Sequence, residues 1–244
     1  MEWHDEGILL SSRQHGERDA IVSILTFEHG RHAGLVAGGA GRRATPLLQP
    51  GNRLDCIWRA RLEEQLGRFT VEPIRLFASI LLEDRERLTA ITSACAVVDI
   101  LLAEREPHAD LYAGLLTLLG LLVSDPAWAE AYVRFELLLL AELGFGLDLT
   151  ACAVTGATLD LAYVSPKSGR AVAREAAGPW ADRLLPLPAF LVADHTASPQ
   201  EIAQGLRLAG HFLRRHILDP TDRTEPVARE RFVGLWRDQP NESP

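Results

Sequence analysis

The hydrophobic period of this chain changes near Pro73, and that change limits the fold more than any single motif does. Upstream, apolar residues recur at the period of two that strands require; downstream they recur at helical spacing. Arg53 to Arg61 carries the first pattern most cleanly. Leu54, Cys56, Trp58 and Ala60 point one way and Arg53, Asp55, Ile57, Arg59 and Arg61 the other, so three arginines share a face. Ala20 to Phe27 is rich in β-branched and aromatic residues, and Glu28-His29-Gly30-Arg31 supplies a turn before a return strand over 32–38. Strands near Trp3–Leu10 and Gly67–Arg75 bring the count to five in about 75 residues, the size of a small closed barrel of the OB type. The alternation places Trp58 in the core; a stacking platform for unpaired bases is the alternative.

After Pro73, residues 78–104 read as a helix ending near Glu106-Pro107, and a second helix spans about Asp110 to Val123. Asp125-Pro126 starts a third, apolar on nearly every side from Phe135 to Leu140, which marks the centre of a bundle. Arg134 lies at its start, at ion-pair spacing from Glu130. Residues 147–197 lose the helical period. Ser198-Pro199-Gln200-Glu201 is a capping box opening a helix to about Leu218. One face of that helix carries Gln204, Arg207, His211, Arg214 and Arg215, either a basic binding face or a solvated surface. The fold class expected is β + α in two domains: residues 1–76 a five-stranded barrel, residues 77–244 a helical bundle.

Charge narrows the function. The net charge of −8 argues against coating by nucleic acid through bulk attraction, yet the first 76 residues balance ten arginines against ten acids. Within them, Gly38-Gly39-Ala40-Gly41-Arg42-Arg43 joins three glycines to adjacent arginines, so backbone N–H groups and guanidinium forks can meet one phosphate. From Gly39 the loop loosely matches a dinucleotide fingerprint. That motif needs a helix next, and Thr45-Pro46-Leu47-Leu48-Gln49-Pro50-Gly51 supplies two prolines and a glycine instead. The loop therefore reads as a barrel rim, its glycines giving reach and its arginines charge.

Catalytic patterns fail. His29-x-x-His32 flanks a turn and lacks the glutamate of a metalloprotease helix; Ser165-Pro166-Lys167-Ser168-Gly169 is neither a phosphate loop nor an acyl-transfer motif. No nucleophile and base set emerges, so an enzyme is not expected. Cys56, Cys95 and Cys152 are odd in number and far apart, and read as buried reduced thiols. The acidic Met1 to Glu6 segment is unlike a signal peptide, and Phe135–Leu143 is interrupted by Glu136 and Glu142, so a cytoplasmic location without membrane contact is the default.

Gly7-Ile8-Leu9-Leu10, Gly16-Glu17-Arg18-Asp19, His29-Gly30, the Gly38–Arg43 loop, Leu47-Leu48-Gln49-Pro50, Arg134-Phe135-Glu136 and Glu142-Leu143-Gly144-Phe145-Gly146 together resemble, in order and spacing, the RecO family of bacterial recombination mediators. The resemblance covers essentially the full length. It implies an N-terminal OB domain that binds and anneals single-stranded DNA, and a helical C-terminal domain. It also implies a role with the partner RecR in loading RecA onto DNA covered by SSB, in a nucleoid-associated cytoplasmic setting and without a cofactor. The DNA-binding set expected is Arg13, Arg18, Arg31, Arg42, Arg43, Arg53 and Arg59; the set facing the SSB tail or RecR is Arg134, Arg207, Arg214, Arg215 and Arg229. Many members carry a four-cysteine zinc module after the central helix. Here Cys152 matches its first ligand, Thr155 stands at the second, and Arg170 to Gly178 holds no cysteine. One thiolate cannot hold a structural zinc. A degenerate, metal-free insert over 147–197 is expected, packed through Leu161, Tyr163, Val172 and Trp180.

Overall fold

The computed structural model describes residues 1–62 and 64–237. They form two compact units: Met1–Ser124 with Pro226–Arg229, and Asp125–Glu225 with the residues from Glu230 onward.

The first unit opens with five strands, β1 (Glu2–His15), β2 (Asp19–Thr26), β3 (Gly30–Val36), β4 (Arg53–Arg59) and β5 (Arg68–Arg75). Their order is β1-β2-β3-β5-β4, closed by β4 on β1. β1 serves both neighbours: Glu2 to Ile8 pairs with β4 and Gly7 to His15 with β2, with a register irregularity between Leu9 and Ser11. Only β3–β5 is parallel, through Leu35–Arg68 and Val36–Phe69. Leu9, Val22, Ile24, Leu54, Cys56, Trp58 and Phe69 fill the interior. Trp58 is 1 % exposed and donates its indole N–H to the Leu66 carbonyl at 3.2 Å, so it is a core residue and not a stacking platform.

The helix expected over 78–104 is broken. A single turn, α1 (Phe77–Ile80), precedes α2 (Arg85–Leu101), whose start is set by the Asp84 carboxylate accepting from the Arg87 backbone N–H at 3.0 Å. Its end comes earlier than Glu106 because Arg31 of β3 captures the segment that follows. Arg31 Nε donates to the Leu102 carbonyl at 3.1 Å, and the Arg105 N–H donates to the Arg31 carbonyl at 2.8 Å. α3 (Ala109–Ser124) completes the unit.

The second unit is built on α4 (Trp128–Glu142), which buries Tyr132, Val133, Phe135, Glu136, Leu139 and Leu140. Asp125 accepts from the Ala127 N–H at 2.7 Å, and the helix proper begins two residues beyond the expected start. A small antiparallel sheet follows, order β7-β6-β8, from β6 (Leu161–Val164), β7 (Ala171–Ala173) and β8 (Leu185–Pro186), with the short α5 (Arg174–Ala177) after β7. Cys152, Val172, Ala173 and Ala177 form its core, with Leu161 and Tyr163 against them. Trp180 does not join: it is 57 % exposed, with the Arg183 guanidinium 4.9 Å from its ring. α6 (Pro199–Leu213) begins with the expected capping box between Ser198 and Glu201 and packs on α4. In α7 (Val227–Arg237), Phe232 is buried 4.2 Å from the Tyr132 ring. Among the described residues no helix is long and apolar enough to cross a membrane.

Candidate nucleic-acid interface

The Gly38–Arg43 loop is held at its base by the neighbouring hairpin. The Gly38 N–H donates to Asp19 Oδ1 and the Ala40 N–H to the Arg18 carbonyl, both at 2.9 Å. Gly38 has φ +70°, a conformation L side chains rarely adopt, and a Cβ on Gly39 would lie 2.7 Å from the Ala20 Cβ. Beyond them, the Ala44 and Thr45 N–H groups donate to the Gly41 carbonyl. These glycines permit close packing and a turn; they do not give the loop reach, contrary to the sequence expectation.

That anchoring assembles one set of the expected arginines. Arg18 lies in the β1–β2 turn, Arg13 on the last part of β1 opposite Ile21, and Arg42 and Arg43 on the tethered loop. All four are exposed, and none has an ion-pair partner among the described residues. Such guanidinium groups retain their full capacity for phosphate.

The other three are engaged within the protein. Arg31 is half-buried, pairing with Asp99 at 3.3 Å and Glu104 at 3.5 Å. Arg53 donates to Glu6, and Arg59 makes a two-pronged contact with Glu2 at 2.8 and 3.0 Å. The shared outward face of Arg53 and Arg59 is therefore as expected, but each carries its own carboxylate.

The second set is more scattered. Arg134 donates to the Phe190 carbonyl and lies 5.6 Å from that ring, while Glu130, its expected partner, accepts from the Ala197 N–H at 2.7 Å. Arg214 pairs with Glu225 at 3.1 Å. Arg207 and Arg215 are exposed, and Arg229 is buried at 3 % exposure.

His32 is 4 % exposed, enclosed by Trp3, Trp58 and Phe69, and neither ring nitrogen meets hydrogen-bond geometry with a partner among the described residues. Desolvation, followed by the charge of Arg105, lowers its pKa to about 4. At neutral pH it is an uncharged core group and no ligand for phosphate.

The zinc that the resemblance brings into question does not fit this donor set. Cys152 Sγ accepts from the Ala173 N–H at 3.3 Å, and among the described residues no group of three or more His, Cys, Asp or Glu side chains is placed to hold a metal. Desolvation pushes the thiol up, but donors from Ala173, Thr155 and Val154 outweigh it and bring the pKa down to about 6. The donors that steady this thiolate are backbone amides and a hydroxyl.

The chain thus joins a closed five-stranded sheet, with exposed arginines that have no ion-pair partner among the described residues, to a helical region that follows it in sequence. Residues 1–77 match the family described as Recombination protein O N terminal and residues 82–225 match Recombination protein O C terminal, so the chain belongs to the Recombination protein O family. It is 53% identical over 236 residues to the DNA repair protein RecO of Cereibacter sphaeroides strain KD131, covering 96% of this chain and 98% of the relative. The DNA repair protein RecO of Rhodospirillum rubrum is 51% identical over 244 residues, with 97% of each chain covered. That of Methylobacterium nodulans is 52% identical over 242 residues, covering 96% and 98%.

Proposed function

We propose that this chain acts in DNA repair and recombination as a RecO-type mediator. In this reading residues 1–76 form an OB-type barrel that binds and anneals single-stranded DNA. Residues 77–244 meet protein partners, the SSB tail and RecR, to promote loading of RecA, and 147–197 are a metal-free remnant of a zinc module. The work requires no covalent chemistry, and its setting is the nucleoid. The parallel β3–β5 closure of five strands supports the OB assignment.

One observation carries the reading: Arg13, Arg18, Arg42 and Arg43 are exposed and have no ion-pair partner among the described residues, on β1 and the hydrogen-bonded turn and loop beside it, in a chain of net charge −8. Four phosphate contacts give a logarithmic salt slope of about −3 on a single strand. Replacing Arg42 and Arg43 together with Ala flattens that slope by about 1.4 and lowers annealing of SSB-coated strands. An unchanged slope moves the DNA path away from this loop.

The engagement of Arg31, Arg53 and Arg59 by carboxylates favours a second reading, a protein adaptor bridging SSB and RecR with weak DNA binding of its own. Titration of labelled oligothymidine with and without RecR separates the two, since the adaptor binds strongly only as the complex.

A further inference from the structure

The strand register places a further arginine on the proposed DNA path. Around the outside of the sheet, Arg13 on β1 is paired with Ile21 on β2, Ile21 with Leu35 on β3, and Leu35 with Arg68 on β5. Paired residues in a sheet point to the same face, so these four side chains form one row across four strands, about 14 Å from first to last. Arg13 and Arg68 at its ends are exposed, and Ile21 and Leu35 between them are partly buried.

Three features make this row suited to a ligand. Arg68 has no ion-pair partner among the described residues, although it stands directly opposite Arg59, whose charge is already matched by Glu2. Like charges facing each other across strands oppose folding, and here the excess is left for something outside the protein. Asp19, two residues from Ile21 on β2, accepts from the Gly38 N–H, and Asp99 takes Arg31 and the Ser11 hydroxyl. The middle of the row is aliphatic, which offers bases a surface and phosphates nothing. A duplex hides its base faces within the stack, whereas a single strand can turn them toward Ile21 and Leu35.

We propose that Arg68 is a phosphate contact, and that single-stranded DNA crosses the sheet along Arg13, Ile21, Leu35 and Arg68, with bases on the two aliphatic side chains and phosphates on the two arginines. This rests on the single-strand-binding reading above and extends it to a strand that the Gly38–Arg43 loop does not include.

The test measures oligothymidine binding by the full chain as a function of salt, with duplex DNA of equal length in parallel. Arg68→Ala is expected to flatten the slope by about 0.7, with Arg68→Lys restoring it. Ile21→Ala and Leu35→Ala are expected to weaken single-strand binding about three- to tenfold with the slope unchanged, and to leave duplex binding alone. Circular dichroism melting of each variant guards against loss of the fold. If the wild-type chain binds oligothymidine and Arg68→Ala keeps the wild-type slope, the path is wrong while the binding function stands. If aliphatic variants that remain folded weaken duplex and single strand equally, the base-contact assignment is overturned. If the wild-type chain alone binds no oligothymidine, the underlying reading fails and this extension with it.

Discussion

The backbone N–H of Ala40 donates to the carbonyl of Arg18 at 2.9 Å, tying the glycine loop to the β1–β2 turn. The arginines they carry, Arg18, Arg42 and Arg43, are exposed and have no ion-pair partner among the described residues. Gly39 is the critical point of that contact, because a Cβ there meets the Ala20 Cβ at 2.7 Å and the Val36 carbonyl oxygen at 3.0 Å. Gly39→Ala should cost roughly 1–3 kcal/mol in urea unfolding, the range of overpacked sites. Gly41→Ala, whose nearest neighbour is the Gly38 oxygen at 3.1 Å, should cost less. Equal losses at both positions would contradict this account of the loop.

Arg31 is the residue whose role the structure redefines most. Its guanidinium reaches Asp99, Glu104 and the Leu102 carbonyl, so it ties the end of α2 to β3. Arg31→Ala should lower stability by about 2–3 kcal/mol, since half-buried charged partners lose their hydrogen bonds. The salt slope for oligothymidine should stay at the wild-type value. A slope flattened by about 0.7 with stability unchanged would make Arg31 a phosphate contact instead.

The two arginine roles show what sequence could and could not reveal. Alternation in Arg53–Arg59 gave the correct inward and outward faces, because period two is a local property that the sheet geometry reads directly. Nothing local tells Arg42, left open to solvent, from Arg31, drawn onto a helix tens of residues away; that difference arises from tertiary proximity. Arg68 was not in the expected set, because its place beside Leu35 depends on the parallel closure of β5 on β3. Helix ends near 101 were missed for the same reason, whereas the Ser198–Glu201 box was read correctly because both partners lie within four residues.

His32 sets a pH limit on the first unit. Its folded pKa of about 4 lies below the ordinary histidine value near 6.5, so the unfolded chain takes up the proton first. The stability tied to neutral His32 is complete above about pH 6.5 and is lost as pH falls toward 4. The difference amounts to roughly 1–3 kcal/mol. His32→Phe removes this contribution, so the wild-type and variant unfolding free energies should diverge across that window and run parallel above it. Parallel curves from pH 7 to 4 would show that the buried ring is not what titrates.

Cys152 gives a spectroscopic prediction. The Ala173 N–H, with donors from Thr155 and Val154, brings its pKa down to about 6 against desolvation, whereas burial pushes Cys56 and Cys95 well above the usual thiol range. Ultraviolet titration of the native chain should therefore show a single thiolate appearing near pH 6, absent from Cys152→Ser. Because this folded value is depressed, the associated stability is present above about pH 8.5, the unfolded thiol value, and declines as pH falls through 6. Zinc content after purification in metal-containing buffer should stay well below one per chain, and a chelator should leave the melting temperature unchanged. One tightly held zinc per chain, with the thiolate band lost on chelation, would show instead that the small sheet recruits ligands other than cysteine.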